Sequence, residues 1–122
     1  MGRMPLTVGR DSAYSLIDSG DTVVTDAYAD FSDSDTRGSE SIVLTIENTH
    51  ISNGITVNAY QEYADYAAAE RNELTGFPQN ISAGNKGLIQ KELPTARLIT
   101  AIKNQTPASA ASAQVVGFIN KL

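Results

Sequence analysis

Hydrophobic and polar residues alternate in short runs along this chain, and residues typical of turns separate the runs. The clearest run is 41–46, where β-branched residues dominate. Asn53-Gly54 is a hairpin-turn signal, and a second alternating run follows it over 55–60. We count about eight or nine candidate strands at the spacing of roughly 8–12 residues typical of sandwiches and barrels. They lie at 6–8, 13–17, 22–28, 41–46, 55–60, 79–82, 87–92, 96–103 and 113–119.

The pattern predicts an all-β fold, an antiparallel β-sandwich of jelly-roll or Greek-key type with at most one short helix. The ambiguous segment is 61–74, where Ala and Glu favour a helix and Gly76 and Pro78 would end one. A loop with at most two helical turns is the favoured interpretation. With 122 residues, the chain is expected to form a single domain over 1–122, in which 1–10 is a candidate arm that contacts a partner.

Alternation also predicts which side chains form the core. Ala101 and Ile102 are neighbours in sequence and cannot both face inward on a regular strand, so one of them should fail. A short internal repeat relates 43–48 to 99–104, and each copy ends in Asn, which can satisfy backbone groups at a strand end. The predicted core is Ile42, Leu44, Ile46, Ile55, Val57, Leu98, Ala101, Ile102, Val115 and Phe118.

Composition narrows the possible partners. The formal net charge is −5 and the nine basic residues are scattered, which argues against nucleic acid and against an anionic membrane surface. The chain has no cysteine, so disulfides, thiolate catalysis and cysteine-based zinc sites are excluded. It contains no apolar run long enough for a membrane span or a cleaved signal peptide.

An acidic segment carries the one metal hypothesis. Between residues 18 and 40 there are seven acidic residues and one basic residue. Asp30, Asp33 and Asp35 lie in a turn-like stretch whose oxygens could bind calcium. The alternative is a solvated acidic loop without metal. No other cofactor is predicted.

Catalytic motifs are absent from the sequence. There is no nucleophile elbow, zinc-protease motif, P-loop or dinucleotide fingerprint. The single histidine, His50, is predicted to lie exposed in a loop and to be dispensable, because no partner for general-base chemistry stands near it in sequence. The chain is therefore predicted not to be an enzyme.

Two groups of side chains are candidates for contact with a partner. Met4, Leu6 and Val8 alternate, so a strand built from them could add to a neighbour's sheet edge. Tyr63 and Tyr66, with Tyr60, recur every three residues and could contact a partner, stack on sugars or cover one end of the sandwich.

The segments 41–48, 81–84 and 96–104 resemble small β-sandwich proteins of tailed viruses, including capsid decoration proteins. The resemblance implies a structural role in the virion, assembled in the host cytoplasm. It also implies a trimer or other homo-oligomer that binds a major coat protein or similar scaffold. The alternative function is a carbohydrate-binding β-sandwich module that uses the tyrosines and calcium.

Overall fold

A computed structural model describes residues 14–37, 39–62, 71–91 and 97–121. Every regular element in these ranges is a β-strand, which confirms the all-β prediction. They contain no helix, and so none long and apolar enough to cross a membrane. The strands are β1 (Tyr14–Asp18), β2 (Thr22–Val24), β3 (Ala29–Asp35), β4 (Ser39–Asn48), β5 (Ile55–Glu62), β6 (Arg71–Glu73), β7 (Gln79–Ile81), β8 (Lys86–Lys91), β9 (Arg97–Asn104) and β10 (Ala111–Lys121).

The strands form two antiparallel sheets. Sheet A has the order β1-β10-β4-β8, and β2 pairs with the same strand β10 as β1 does. Sheet B has the order β3-β9-β5-β6. β6 pairs with one end of β5 and β7 pairs with the other end of the same strand. β1 and β2 can be counted as one interrupted strand, and so can β6 and β7. When the resulting eight strands are renumbered in chain order, the orders of the two sheets become 1-8-3-6 and 2-7-4-5. This is the strand order of a jelly roll.

The inner faces of both sheets form the core. Nine of the ten predicted core residues are buried, which confirms the alternation, and Phe118 is the exception. Phe118 is 44% exposed because Val115 and Ile119 face inward on β10, which turns position 118 outward.

Ala101 and Ile102 do not both face the interior of the sandwich, as the alternation predicts. Both are buried, on opposite faces of β9: Ile102 belongs to the central core cluster and Ala101 does not. Ala101 lies opposite Asn58 on the outer face of sheet B, and its neighbour Ile99 is fully buried there as well. This sheet therefore has apolar side chains covered on both faces.

Two local predictions need correction. Asn53-Gly54 does not close a hairpin, because β4 and β5 belong to different sheets and the segment between them crosses the sandwich. The predicted loop or short helix over 61–74 begins and ends in extended backbone, since Gln61 and Glu62 pair with Asn72 and Arg71. Residues 63–70 lie outside the described ranges.

Candidate functional site

The two outer faces of the sandwich differ in chemistry. The outer face of sheet B is covered by ion pairs, in which Arg71 contacts Asp30 at 2.9 Å and Glu62 at 3.2 Å. Arg97 pairs with Asp33 and lies 4.0 Å from Glu62. The hydrogen bond to Asp30 raises the pKa of Arg71, and the hydrogen bond to Glu62 adds to this against the opposing effect of burial. The charged side chains on this face therefore pair with one another within the chain.

The acidic segment is not the loop that the sequence predicts. Asp30, Asp33 and Asp35 lie on β3, an edge strand of sheet B, where the ladder with β9 fixes them. Among the described residues, no three potential ligands come close enough together to hold a metal ion. Each of the three carboxylates is paired with a different arginine: Asp30 with Arg71, Asp33 with Arg97 and Asp35 with Arg37.

The outer face of sheet A is apolar and open to solvent. Two neighbouring rows of the sheet supply it: Leu16 lies opposite Phe118 and Phe118 opposite Val43, while Val116 and Leu88 flank Thr45. Leu16 is 71% exposed and Leu88 is 51% exposed. A groove of about 430 Å³ runs over most of this face. We call the following five residues the apolar patch: Leu16, Val43, Leu88, Val116 and Phe118.

Gly117 brings the two central strands of the patch together. A Cβ atom at this position would overlap the carbonyl oxygen of Val43 and lie 2.7 Å from Cα of Leu44. Real Cβ contacts are essentially never this short, so any side chain would push β10 away from β4. The small residue thus holds Val116 and Phe118 against the strand that carries Val43.

Polar and charged residues border one end of the patch. Across the sheet, Gln114 lies opposite Glu47, and Glu47 opposite Lys86. Gln114 Nε2 donates to Asp18 Oδ1 at 2.9 Å, and the Gly20 N–H donates to the same oxygen at 2.9 Å. These hydrogen bonds lower the pKa of Asp18, with the Gln114 bond as the larger cause. The carboxylate of Asp18 and the ammonium of Lys86 therefore lie at the same end of the face, on opposite edges.

Soluble monomers seldom expose a contiguous apolar surface of this kind, and such patches with polar borders mark places where proteins meet. The apolar patch is therefore the candidate functional site. Sequence reasoning missed it and assigned Phe118 to the core. One feature of the sequence could have revealed the patch: the consecutive pair Val115-Val116 places apolar side chains on both faces of β10.

A second groove, of about 420 Å³, lies between the edge strands of the two sheets. Gln61, Glu73, Gln79 and Gln90 line it with polar groups. Its aromatic residue, Phe77, packs against the core, which limits its use as a stacking surface for a sugar.

Of the tyrosines at 60, 63 and 66, the structure describes Tyr60, which lies away from the apolar patch. Tyr60 belongs to the outer face of sheet B, where its hydroxyl accepts a hydrogen bond from Asn58 and its ring lies 5.9 Å from Arg71. The remaining predicted contact residues lie outside the described ranges, and their assignment stays a prediction. They are Met4, Leu6, Val8, Tyr63 and Tyr66.

His50 lies in the loop between β4 and β5, as predicted, but it is half-buried and hydrogen-bonded, which counts against its predicted dispensability. Its Nδ1 accepts hydrogen bonds from the backbone N–H groups of Asn53 at 3.0 Å and Ser52 at 3.2 Å. The backbone N–H of His50 donates to Oδ1 of Asn48 at 3.0 Å. The ring therefore takes the place of a backbone acceptor within the β4–β5 connection, which is a structural role.

No protein-family model matches the sequence, and no curated protein matches it. Among solved structures, PirA superimposes with a TM-score of 0.53 at 14% identity, over 86% of this chain and 93% of PirA. A chain of Bacillus endospore appendages, described as a family of disulfide-linked pili, gives 0.54 at 10% identity over 89% and 87%. A chain of the infectious bursal disease virus Gx strain gives 0.47 at 7% identity, over 88% of this chain and 33% of the viral one. At these identities the likeness to PirA and to the appendage chain shows a shared fold, which can host many functions.

Proposed function

We propose that this chain is a non-enzymatic structural subunit of a virion, of the capsid decoration type or another outer assembly subunit, which binds a major coat protein. The apolar patch is the observation that carries the proposal. One outer face of the sandwich is covered by internal ion pairs, while the other exposes large apolar side chains that a partner could bury. A binding surface on a rigid sheet suits an assembly role.

The pilus neighbour supports an assembly role in general terms, since the same fold occurs there in a pilus. That likeness concerns the fold alone. The present chain has no cysteine, so its own assembly would rely on non-covalent contacts. The choice of a virion rests on the sequence resemblance of 41–48, 81–84 and 96–104 to small β-sandwich proteins of tailed viruses.

A homo-oligomer, for example a trimer, would make such contacts effective. A single small sandwich offers few contacts, whereas symmetric copies multiply weak contacts through a high effective concentration. Met4, Leu6 and Val8 would extend the contact by pairing with a neighbour's sheet edge.

The test is quantitative mass spectrometry of virus particles purified from cells that produce this chain. We expect the full-length chain in a fixed ratio to the major coat protein. Phe118→Ser should reduce its incorporation at least about tenfold, which corresponds to about 1.4 kcal/mol. Ile51→Ser, which changes an equally apolar and 95% exposed loop residue away from the patch, should leave incorporation unchanged. Absence of the chain from particles, or equal incorporation of both variants, would overturn the proposal.

A further inference from the structure

We propose that the outer face of sheet A binds the same face of a second copy of this chain, around a two-fold axis that runs along the strands between β10 and β4. The proposal rests on the assembly role above: the apolar patch joins two copies of the chain, and the coat protein would be bound through other surfaces of the oligomer. Such an interface is isologous, so every contact between two different residues occurs twice.

The charges at the border of the patch favour a second copy. Asp18 and Lys86 lie at the same end of the face but on its opposite edges, β1 and β8. The proposed axis places β1 of one copy over β8 of the other. Asp18 then approaches Lys86 of the second copy, and the reciprocal pair forms on the other side. A chain with net charge −5 would repel its own copy through most surfaces, whereas this face carries both signs in a self-complementary arrangement.

The shape of the face fits the same arrangement. Sheets stack face to face at about 10 Å with their strands about 30° apart, which requires flat faces with small or medium apolar side chains. The two rows of the patch provide such a surface, since they consist of aliphatic side chains, one phenyl ring and one threonine, with Gln90 at the β8 edge of one row and Asp18 at the β1 edge of the other. Two copies would thereby form a four-layer stack.

The expected affinity is modest. Four strands about 4.8 Å apart give a face about 14–19 Å wide, and the five residues of β1 give it a length of about 17 Å. The resulting area of about 240–320 Å² is small beside the roughly 800 Å² per partner of a standard interface. We therefore expect weak pairing of isolated chains, which an assembly would strengthen through effective concentration.

The test is analytical ultracentrifugation of the full chain from about 1 μM to about 1 mM. We expect a monomer–dimer equilibrium. Asp18→Lys and Lys86→Asp should each raise the dissociation constant at least about tenfold, because each places like charges opposite one another twice. The double variant Asp18→Lys/Lys86→Asp should return it to within about threefold of the unmodified chain. The control variant Lys103→Asp makes the same charge change as Lys86→Asp but on the outer face of sheet B. It should change the dissociation constant by no more than about threefold.

Loss of the Asp18 hydrogen bonds could weaken the β1–β2 connection, so circular dichroism and thermal unfolding accompany each variant. Lys86→Asp alone still tests the proposal, because the Lys86 side chain is exposed. A monomer at about 1 mM, or a dimer that the double variant fails to restore, would overturn the inference. In either case, a fixed ratio of the chain to coat protein in particles would leave the proposed function standing.

Discussion

Asn48 Nδ2 donates a hydrogen bond to the carbonyl oxygen of Ile81, 33 residues further along the chain, at 2.9 Å. The same amide donates to the carbonyl of Asn53 at 2.9 Å, and its Oδ1 accepts the N–H of His50. Asn48 is completely buried, and its backbone bonds to Asn85 and Gly84. One side chain therefore joins the β4–β5 connection to the end of β7.

Replacement of Asn48 by Ala should destabilise the fold by about 2–4 kcal/mol, because three hydrogen bonds are lost and buried carbonyl groups remain unsatisfied. Urea unfolding followed by circular dichroism measures this. The matched control is Asn80→Ala, at an exposed asparagine with a hydrogen bond to Thr56, which should cost no more than about 0.5 kcal/mol. Equal losses in both variants would contradict the role assigned to Asn48.

His50→Ala should cost about 1 kcal/mol, since two backbone N–H groups lose their acceptor in a partly exposed loop. His50→Asn should recover most of this loss, because Oδ1 of Asn can occupy the place of the ring Nδ1 and accept the same bonds. Thermal unfolding of the three proteins at one pH decides the matter. If Ala and Asn behave alike, the ring does not stabilise the loop through its acceptor.

The strand content and most of the core could be predicted from the sequence, because an alternating pattern directly reports which face of a strand is buried. Residues 42–46 are an example, with every second residue buried. Over 55–59 the same alternation buries Ile55, Val57 and Ala59, although Asn58 is buried as well. The repeat that ends in Asn48 and Asn104 predicted that each Asn satisfies backbone groups. Asn48 confirms this by donating to two backbone carbonyls, whereas Asn104 donates to the side-chain carboxylate of Asp26.

Properties that depend on which strands become neighbours could not be predicted. Asp30 and Arg71 are 41 residues apart, and only the β3-β9-β5-β6 order brings their side chains together. The same limit explains why Phe118 was wrongly assigned to the core. An apolar residue at an outward-facing position has the same local sequence pattern as a core residue. The identity of its neighbours Leu16 and Val43 emerges only from the register of sheet A.

Acid should weaken the fold in part through Asp26. The amide of Asn104 and then the N–H of Ala108 lower the pKa of Asp26 below its ordinary value of 3.8. The unfolded chain thus takes up this proton at a higher pH than the folded one. The stabilisation is present above the ordinary value and is lost as the pH falls through the folded pKa. Between about pH 7 and about pH 3, the urea midpoint should fall less for Asp26→Asn than for the unmodified chain. An equal fall in both would show that Asp26 does not contribute.

Calcium binding at Asp30, Asp33 and Asp35 can be tested by isothermal titration. We expect no binding heat with the unmodified chain, because an arginine already neutralises each carboxylate and would have to be displaced. A heat that disappears in Asp33→Ala would instead establish a calcium site on β3.

The central claim, that the chain assembles through the apolar patch, is tested most directly by thiol labelling, because the chain has no cysteine of its own. Leu88→Cys places a single thiol on the patch, and Ile51→Cys places one in the exposed β4–β5 connection. The rate of reaction with a maleimide is measured for each variant from dilute monomer to assembled protein. We predict that assembly slows labelling at position 88 at least about tenfold, equivalent to about 1.4 kcal/mol of protection, and leaves position 51 unchanged. Equal labelling of position 88 in the monomeric and assembled protein would contradict the account.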